Sequence, residues 1–480
     1  MHTHPSQEGR RPMAEKSDAL VFFGATGNLA HKKIYPSLAS LVARGQLDVP
    51  VIAVFRSKGD KENLMEHVHD SLNAHGGFDE ATITKLTGLI HGVDGDYSDP
   101  QTFAKLREAL GEAKHPLHYL AIPPSLFATV TASLGASGCA EGASVVVEKP
   151  FGRDLASSRE LNAALHQVFD ESRVFRIDHY LGKEAVMGLA YFRFANAFLE
   201  PIWNRNYVKS VQITLAESFG VEGRGSFYED VGALRDVVQN HVLQVLTMVA
   251  MEPPSGQGSE GLRDEKVKVL RAMPPIKPSD VVRGQYEGYR TEKGVAPDST
   301  TETFVALRAE VDTWRWSGVP FYLRAGKGLA NTAVEVFVEL KRPPAGVQIG
   351  QVGTTHPNSL HFRLSPDVSI SLSANVKAPG SKMKGEQVEL EFNQIASADG
   401  LDPYERLLGD ALKGDTTLFT REDTVEASWQ VIDNILGDAT PVHPYFRGSW
   451  GPEAADRLVT DGKWHNPESD EQAANIQEEN

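Results

Sequence analysis

The stretch ALVFFGATGNLAHKKIYPSLASLVARG, residues 19–45, decides the fold of the first part of the chain. Five apolar residues at 19–23 predict a buried strand, and the spacing of the apolar residues after residue 30 predicts a helix that ends at Gly45. Pro36 stands inside that helix and predicts a kink. A strand, a tight turn and a helix in this order open a parallel sheet that is covered by helices.

The turn between this strand and this helix has the composition of a dinucleotide site. Gly24, Gly27 and Ala30 form the pattern G-x-x-G-x-x-A. Small residues there let the backbone approach a pyrophosphate, and the free amides and positive dipole end of the helix attract its charge. A glycine turn that binds nothing is the alternative, but the flanking strand and helix favour the nucleotide.

The residues after the second predicted strand, VIAVF at 51–55, indicate which dinucleotide binds. An enzyme specific for NAD usually has a carboxylate there for the ribose 2′-hydroxyl, whereas this chain has Arg56, Ser57 and Lys58. Because cations suit a 2′-phosphate, the sequence predicts NADP, with NAD as a weaker or second cofactor. The alternative is that Arg56 and Lys58 belong to a solvated surface turn.

The remaining pattern divides the chain into two domains. Apolar runs at HYLAI (118), SVVVE (144) and VFRI (174) continue the parallel sheet, and after Tyr207 the apolar residues recur with period two, which indicates an antiparallel sheet with one solvated face. We therefore predict an α/β N-terminal Rossmann-type dinucleotide-binding domain plus a C-terminal α+β domain with a large, mainly antiparallel sheet. The predicted bounds are 18–182 and 183–464, with a helix at the start of the second domain and flexible tails at 1–17 and 465–480.

Composition narrows the classes of partner. The 480 residues carry 48 basic and 64 acidic side chains and a formal net charge of −16, which repels nucleic acid and anionic lipid surfaces. No apolar run is long enough for a membrane helix, the only cysteine is Cys139, and the N-terminus lacks a secretory signal. We expect a cytoplasmic enzyme that contacts neither nucleic acid nor membrane, in which local cations hold any phosphate.

Polar residues follow two of the predicted parallel strands. Lys149 lies in EKPFG, and Asp178, His179 and Lys183 lie in RIDHYLGKE. Ligands of open α/β sheets bind at the carboxyl ends of strands, so these four side chains should face one crevice. A basic residue beside the free amides of a helix start makes a phosphate site, and a solvated helix lysine is the alternative for Lys183.

A third polar segment, RDVVQNHVLQ at 235–244, predicts an acid–base group. Asp236, Asn240 and Gln244 recur every four residues on an otherwise apolar helix, and His241 lies beside them. Oxidation of an alcohol requires a base for the hydroxyl proton, and the imidazole pKa suits that task. A carboxylate would orient the ring, and both Asp178 and Asp236 are candidates. A core histidine without a catalytic role is the alternative.

Taken together, these motifs resemble the glucose-6-phosphate dehydrogenase family over about residues 18–445. RIDHYLGKE is that family's signature, and other segments follow in the family's order: GATGNLAHKKIYPSL, EKPFGRDL, ESFGVEGRGSFYEDVGALRDVVQNHVLQ, VRGQY, YLRAGKGL and DPYERLL. The resemblance implies NADP-dependent oxidation of D-glucose 6-phosphate at C1 to the 6-phosphogluconolactone, the first step of the oxidative pentose phosphate pathway. It also implies a homodimer or homotetramer built on the large sheet.

The resemblance assigns roles to the residues that match. His241 would accept the proton, Asp178 would be its carboxylate partner, and Pro150 would be cis. Substrate-binding residues would divide into a phosphate group of His179, Tyr180, Lys183 and Lys327, and a sugar group of Glu217 and Asp236. Cofactor-binding residues would be Gly24, Thr26, Gly27, Asn28, Leu29 and Arg56, with Lys149 between the cofactor and the substrate. No metal ion is expected.

Three residues depart from the family's pattern. Asn28 and His31 stand where relatives usually have a carboxylate and a fixed positive charge, which affects the expected cofactor affinity. Thr332 stands where many relatives have a basic residue, so one phosphate contact is expected to be absent. Two other functions stay open: another NADP-linked sugar oxidoreductase, since EKP also follows a Rossmann strand in the glucose-fructose oxidoreductase superfamily, and a catalytically silent NADPH-binding regulator.

Overall fold

The computed structural model describes residues 15–56, 62–256, 258–343, 356–380, 385–393 and 401–468. The chain divides into two compact units. The first comprises Met1–Lys183, Gly256–Arg263 and Leu401–Val425, and the second comprises Glu184–Ser255, Asp264–Gly400 and Glu426–Asn480. The predicted boundary after residue 182 lies next to the end of the first unit's long segment, and the two later segments of that unit were not predicted.

Fifteen strands lie in the described part of the chain, and they form two sheets. The strands are β1 (Ala19–Phe23), β2 (Val51–Phe55), β3 (Ile90–Asp94), β4 (Pro116–Leu120), β5 (Ser144–Glu148), β6 (Val174–Ile177), β7 (Val208–Ala216), β8 (Val281–Tyr286), β9 (Phe304–Glu310), β10 (Pro320–Gly326), β11 (Ala333–Leu340), β12 (Ser359–Ser365), β13 (Ser369–Lys377), β14 (Gly385–Asn393) and β15 (Val442–Tyr445).

Twelve α-helices connect these strands or pack beside them in the described residues. The helices are α1 (Tyr35–Ala43), α2 (Glu62–His75), α3 (Glu80–Leu89), α4 (Pro100–Leu110), α5 (Phe127–Ala136), α6 (Leu155–His166), α7 (Glu184–Ala195), α8 (Gly225–Ala233), α9 (Leu243–Ala250), α10 (Ser259–Arg271), α11 (Pro403–Lys413) and α12 (Glu422–Ile432). Helix α7 is the helix that the sequence predicts at the start of the second domain.

The sheet of the first unit is parallel, with strand order β3-β2-β1-β4-β5-β6. This is the doubly wound order of dinucleotide-binding folds, whose ligands bind where the order reverses between β1 and β4. The Rossmann-type prediction is confirmed. The sequence pattern missed β3, because IHGVD is an edge strand in which only two of five residues are buried.

The helix after the first turn starts in an unusual form. Residues Ala30–Ile34 form a π-helical segment, and α1 follows directly. Pro36 is the second residue of α1, and a proline in the first turn removes no hydrogen bond of the following helix. The change of helix type at this point accounts for a proline that the sequence alone only marks as a kink.

The sheet of the second unit has nine strands in the order β14-β13-β12-β11-β7-β10-β9-β8-β15. Its pairs are antiparallel except for β7 with β10 and β8 with β15, which are parallel. The predicted α+β domain with a large, mainly antiparallel sheet is confirmed. The parallel pair β7–β10 was not predicted, and it brings two strand ends to the same edge.

The prediction of one solvated face is wrong for the centre of this sheet. Gln212 and Thr214 on β7 and Arg324 on β10 are at most 4 % exposed. The segment Lys463–Glu468 lies against that face and hydrogen bonds to Gln212 and Arg324. The segment that spans the predicted end of the sheet domain therefore shields the polar face, and residues 465–468 are docked where the sequence predicted the start of a flexible tail. Among the described residues, no helix has the length and apolar character needed to span a membrane.

Candidate active site

The glycine turn after β1 is built for close backbone approach. Gly24 has φ +85° and donates through its amide to Val54 O at 3.0 Å and to Tyr97 Oη at 2.9 Å. A Cβ atom at position 24 would lie 2.2 Å from the carbonyl oxygen of Ala121, so only glycine fits. The Gly27 amide donates to Gly24 O at 2.9 Å, which closes the turn before the π-helical segment.

The other predicted cofactor residues lie around this turn. Thr26 and Asn28 are exposed, Leu29 is half-buried, and all three lie at the carboxyl end of β1, where the fold binds nucleotides. Arg56 follows β2, and its Nη2 lies 2.5 Å from Asp96 Oδ2 in an exposed ion pair. Both side chains of this pair are largely exposed. Lys58, the second predicted cation, lies outside the described residues.

The departure at His31 has a structural counterpart. Its ring lies 5.0 Å from that of His67 and 5.4 Å from that of His75, measured between centroids. Burial lowers the pKa of His67, and the nearby His31 lowers it further. An arginine or lysine at position 31 would add a permanent charge to this group of imidazoles, which is the physical difference that the departure makes.

The predicted crevice residues of the first unit follow two adjacent strands. Lys149 follows β5 and Asp178 follows β6, and their preceding residues, Glu148 and Ile177, are paired in the sheet. Lys149 and Asp178 therefore start at the same edge, as the sequence predicts. The Lys149–Pro150 peptide is cis, which confirms that expectation.

The residues after Asp178 form a compact polar turn. Asp178 is 2 % exposed, and its Oδ1 accepts from the Tyr180 amide at 3.0 Å. The Lys183 amide donates to Tyr180 O, and the Lys183 ammonium lies 3.9 Å above the Tyr180 ring, which is a cation–π contact. His179 packs edge-on against Tyr180. The turn thus brings together an imidazole, a phenol and an ammonium, the donors that a phosphate requires.

The second unit contributes a separate polar cluster. Glu217 follows β7 and Lys327 follows β10, directly after the paired residues Ala216 and Gly326 of these parallel strands. The Lys327 ammonium lies 2.5 Å from Glu217 Oε2 and 3.7 Å from Asp236 Oδ2. One buried cation thus holds two carboxylates that remain able to accept hydrogen bonds from hydroxyl groups.

Thr332, the third departure, supports this cluster from the side. Its Oγ1 accepts from the Ser218 amide at 3.0 Å and hydrogen bonds to Ser218 Oγ at 2.9 Å. These bonds fix the loop that begins at Glu217. Thr332 therefore has a structural role in the second unit.

Asp236 and His241 lie in a helical segment that is not α-helical. Residues Leu234–Val242 form a π-helix, whose hydrogen bonds join residues five apart. The offset from Asp236 to His241 is therefore close to one turn, which puts both side chains on the same side of the helix. The sequence predicts a helix here, and its π form was not predicted. π-Segments recur at functional sites, and His241 is 2 % exposed.

A glycine sets the start of this π-helix. Gly232 has φ +64° and ψ 175°, a conformation open essentially to glycine alone. The Glu302 carboxylate lies beside it, accepts from the Leu234 amide at 3.1 Å, and pairs with Arg283 Nη2 at 3.0 Å. A buried ion pair therefore anchors the first turn of the helix that carries Asp236 and His241.

Three residues near the first-unit turn were missed by sequence reasoning. Burial raises the pKa of Glu148 to about 7, and Tyr119 donates a hydrogen bond to Glu148 Oε1. Tyr404, at the start of α11, stacks on His179 with a centroid distance of 6.2 Å and an interplanar angle of 12°. The sequence analysis identifies the motif DPYERLL. Nothing in the local sequence, however, indicates that Tyr404 packs on a residue more than two hundred positions earlier.

Comparisons with known proteins divide the chain once, near the end of the first unit's long segment. A family model described as the glucose-6-phosphate dehydrogenase NAD binding domain matches residues 21–188, and one described as the C-terminal domain of the same family matches residues 190–465. The glucose-6-phosphate 1-dehydrogenase 1 of Mycobacterium bovis is 44 % identical over 452 residues, which cover 94 % of this chain and 97 % of that protein.

Two solved structures are similar along nearly the whole chain. The crystal structure of glucose-6-phosphate 1-dehydrogenase from Mycobacterium avium has a TM-score of 0.89 and 44 % identity, covering 95 % of this chain and 99 % of that one. A glucose-6-phosphate dehydrogenase in complex with its substrate glucose-6-phosphate has a TM-score of 0.86 and 34 % identity, covering 96 % of this chain and all of that one.

Proposed function

The chain belongs to the glucose-6-phosphate dehydrogenase family, and we propose from that premise how its own residues carry the family's reaction. The enzyme is an oxidoreductase that oxidises D-glucose 6-phosphate at C1 to 6-phosphoglucono-1,5-lactone. NADP is the cofactor, and this reaction is the first step of the oxidative pentose phosphate pathway.

The observation that carries the proposal is the buried ammonium of Lys327 between Glu217 and Asp236. Sugar hydroxyls are donors and acceptors at once, so a pair of carboxylates fixed by one cation can bind neighbouring hydroxyls of a hexose. We assign Glu217 and Asp236 to the sugar. A contact from Lys327 to the phosphate has to compete with its two carboxylate partners.

The phosphate is assigned to the turn after β6. Lys183, His179 and Tyr180 present an ammonium, an imidazole and a phenol within one short segment. Charge-assisted hydrogen bonds to phosphate oxygens are among the strongest in proteins. Because the phosphate is remote from C1, these residues contribute substrate binding rather than chemistry.

The proton is assigned to His241. As the C1–H bond breaks and its electron pair leaves with the hydride, the C1 hydroxyl oxygen becomes a carbonyl and releases its proton, which the neutral imidazole accepts. Asp178 is assigned as the carboxylate partner that orients the ring and stabilises the imidazolium. Lys149 lies between the cofactor and the substrate in this assignment.

The turn after β1 fits the dinucleotide, because small residues and exposed backbone stand at the carboxyl end of β1, and Gly24 allows the tight turn by packing against the Ala121 carbonyl oxygen. When bound, NADP supplies the hydride acceptor. Thr26, Gly27, Asn28 and Leu29 would contact the pyrophosphate region, and Arg56 would pair with the 2′-phosphate, which favours NADP over NAD. A cytoplasmic location and assembly as a homodimer or homotetramer through the large sheet complete the proposal.

Steady-state kinetics with purified enzyme test this function. We expect NADPH absorbance to rise with glucose 6-phosphate and not, at equal concentration, with glucose. Oxidation of unphosphorylated glucose at a comparable kcat/KM would favour the other sugar oxidoreductases, and no turnover with bound NADPH would favour the silent regulator. Exchanging NADP for NAD in the same assay measures the cofactor preference.

A further inference from the structure

The segment Lys463–Glu468 crosses four adjacent strands of the large sheet. Its contacts run from Gln212 on β7 and Arg324 on β10 to Arg363 on β12, whose Nη2 donates to Glu468 O at 2.8 Å. Asn331 adds a hydrogen bond to Pro467 O at 3.0 Å. These bonds hold the backbone of the segment in one place, so its side chains meet the sheet at fixed positions.

Three potential metal ligands meet under this segment. Glu335 on β11, His361 on β12 and His465 each offer one ligand atom, and these atoms lie within 4.8 Å of one another. His361 Nε2 lies 2.9 Å from Glu335 Oε2, and His465 Nε2 lies 3.6 Å from the same oxygen. All three residues belong to the second unit, and none belongs to the candidate active site.

The three atoms are turned inward. Glu335 Oε2, His361 Nε2 and His465 Nε2 are shielded from solvent, and within the described ranges none has a hydrogen-bond partner of good geometry. Glu335 itself is 1 % exposed. Buried polar atoms are normally satisfied, so three unsatisfied ligand atoms that face one another call for an explanation such as a bound ion.

Neighbouring side chains orient two of the three ligands. The His465 ring stacks on Phe337 with a centroid distance of 4.1 Å and an interplanar angle of 5°. Arg363 Nε lies 3.4 Å from Glu335 Oε1, the other oxygen of that carboxylate. One oxygen is thus directed by a cation while the second faces the imidazoles, an arrangement that resembles the outer-shell support of metal ligands.

The distances match a transition-metal site. Tetrahedral Zn²⁺ with bonds of about 2.0–2.1 Å holds its ligand atoms about 3.3–3.4 Å apart. The separations of 2.9 and 3.6 Å lie on either side of that value. Imidazole nitrogen suits Zn²⁺, whereas Ca²⁺ and Mg²⁺ prefer oxygen ligands alone.

A second cluster shows what an ordinary ion-pair network looks like in this chain. His166, Glu171 and Glu422 also bring their ligand atoms within 4.8 Å of one another. There, however, Arg176 Nη1 donates to both oxygens of Glu171, at 2.8 and 2.9 Å, and His166 Nε2 pairs with Glu422 at 2.8 Å. The Arg176 guanidinium and the His166–Glu422 hydrogen bond already satisfy that cluster, so it carries no similar inference.

We propose that Glu335, His361 and His465 form a Zn²⁺ site that fastens the C-terminal segment to the large sheet. The sheet supplies two ligands and the segment supplies the third, so the ion joins elements more than one hundred residues apart in sequence. A water molecule is assigned to the fourth position of the tetrahedron. This site was not expected from the sequence, because its three ligands follow no metal-binding spacing.

Metal binding to the untagged full chain tests the proposal. EDTA first removes any metal, and the protein is then dialysed to equilibrium against ZnCl₂ near neutral pH. Mass spectrometry should find a single tightly bound Zn²⁺ per chain. The dialysis should give a Kd at or below about 1 µM. His465→Phe keeps the stacking on Phe337 but removes the ligand, and His361→Asn removes another. Each should weaken binding at least about tenfold. His356→Asn, at an exposed histidine outside the cluster, is the matched control and should leave binding unchanged.

Thermal unfolding gives a second readout that does not depend on activity. At a free Zn²⁺ concentration of 100 times Kd, the Tm of the wild type should rise by about 5–10 °C, and that of His465→Phe should not. Co²⁺ in place of Zn²⁺ should show the absorption of a tetrahedral site in the wild type only. Equal Zn²⁺ affinity in wild type and in both variants, or no binding by the wild type, would overturn the proposal.

Discussion

Replacing Gly232 with alanine tests whether the conformation before the π-helix holds the candidate base in position. The backbone at this position has φ +64° and ψ 175°, and a residue with a Cβ atom pays about 1–3 kcal/mol to adopt it. The added Cβ would also lie 2.5 Å from Glu302 Oε1 and 2.9 Å from Glu302 Cδ. Either the backbone or the carboxylate must move.

The Glu302 carboxylate cannot move without losing hydrogen bonds and an ion pair. Glu302 Oε2 pairs with Arg283 Nη2 at 3.0 Å and Nε at 3.2 Å, and Oε1 accepts from the Leu234 amide. Disturbing a buried ion pair costs up to about 3–5 kcal/mol. We therefore expect Gly232→Ala to lower the free energy of unfolding by about 3–5 kcal/mol in total, and to lower kcat because the first turn of the helix with His241 shifts.

Gly437→Ala is the matched control. Gly437 has φ +63°, nearly the same value, but a Cβ there would meet nothing within 4 Å. It should cost only the conformational strain of about 1–2 kcal/mol and leave kcat unchanged. The difference of about 1–4 kcal/mol corresponds to a Tm about 2–16 °C lower for Gly232→Ala than for the control in thermal unfolding. Equal Tm values for the two variants would refute the proposed contact with Glu302.

Three further expectations concern single side chains. Lys327→Met should raise the KM for glucose 6-phosphate at least about tenfold in steady-state kinetics, because the carboxylates of Glu217 and Asp236 lose the cation that fixes them. A KM within twofold of the wild-type value would contradict this role of Lys327. Arg56→Ala should reduce the preference for NADP over NAD by about tenfold or more in kcat/KM, and an unchanged ratio would exclude Arg56 from the 2′-phosphate site. Burial raises the pKa of Glu148 from 4.5 to about 7, so the folded state binds a proton that the unfolded state releases, and stability should fall as pH rises from about 4.5 to about 7. Urea unfolding across that range should show a weaker pH dependence in Glu148→Gln, and an identical slope would mean that Glu148 does not titrate in this way.

The sequence predicted those features that local pattern determines. Strands β1, β2, β4, β5 and β6 were predicted from apolar runs, since strands buried on both faces are continuous apolar segments. Edge strand β3 was missed for the converse reason, because half-exposed residues break the run. The polar strand ends at Lys149 and Asp178 were predicted to share an edge because parallel strands that pair in a sheet end together.

Features that depend on distant parts of the chain were not predictable. The pairing of β7 with β10 aligns Glu217 with Lys327, residues 110 positions apart, and no local pattern reveals that register. The same holds for Tyr404, whose contact with His179 depends on a later segment of the first unit. The π-helical form around His241 was missed as well, because apolar periodicity does not distinguish it from an α-helix over nine residues.

The most direct test of the central claim is the turnover of His241→Asn. Asparagine keeps a polar side chain of similar size but cannot accept the C1 hydroxyl proton, so kcat for glucose 6-phosphate should fall by a factor on the order of 10² or more. The Kd for NADP, measured by titration of the same protein, should stay close to that of the wild type. A variant that keeps near-normal kcat would contradict the assignment of His241 as the base.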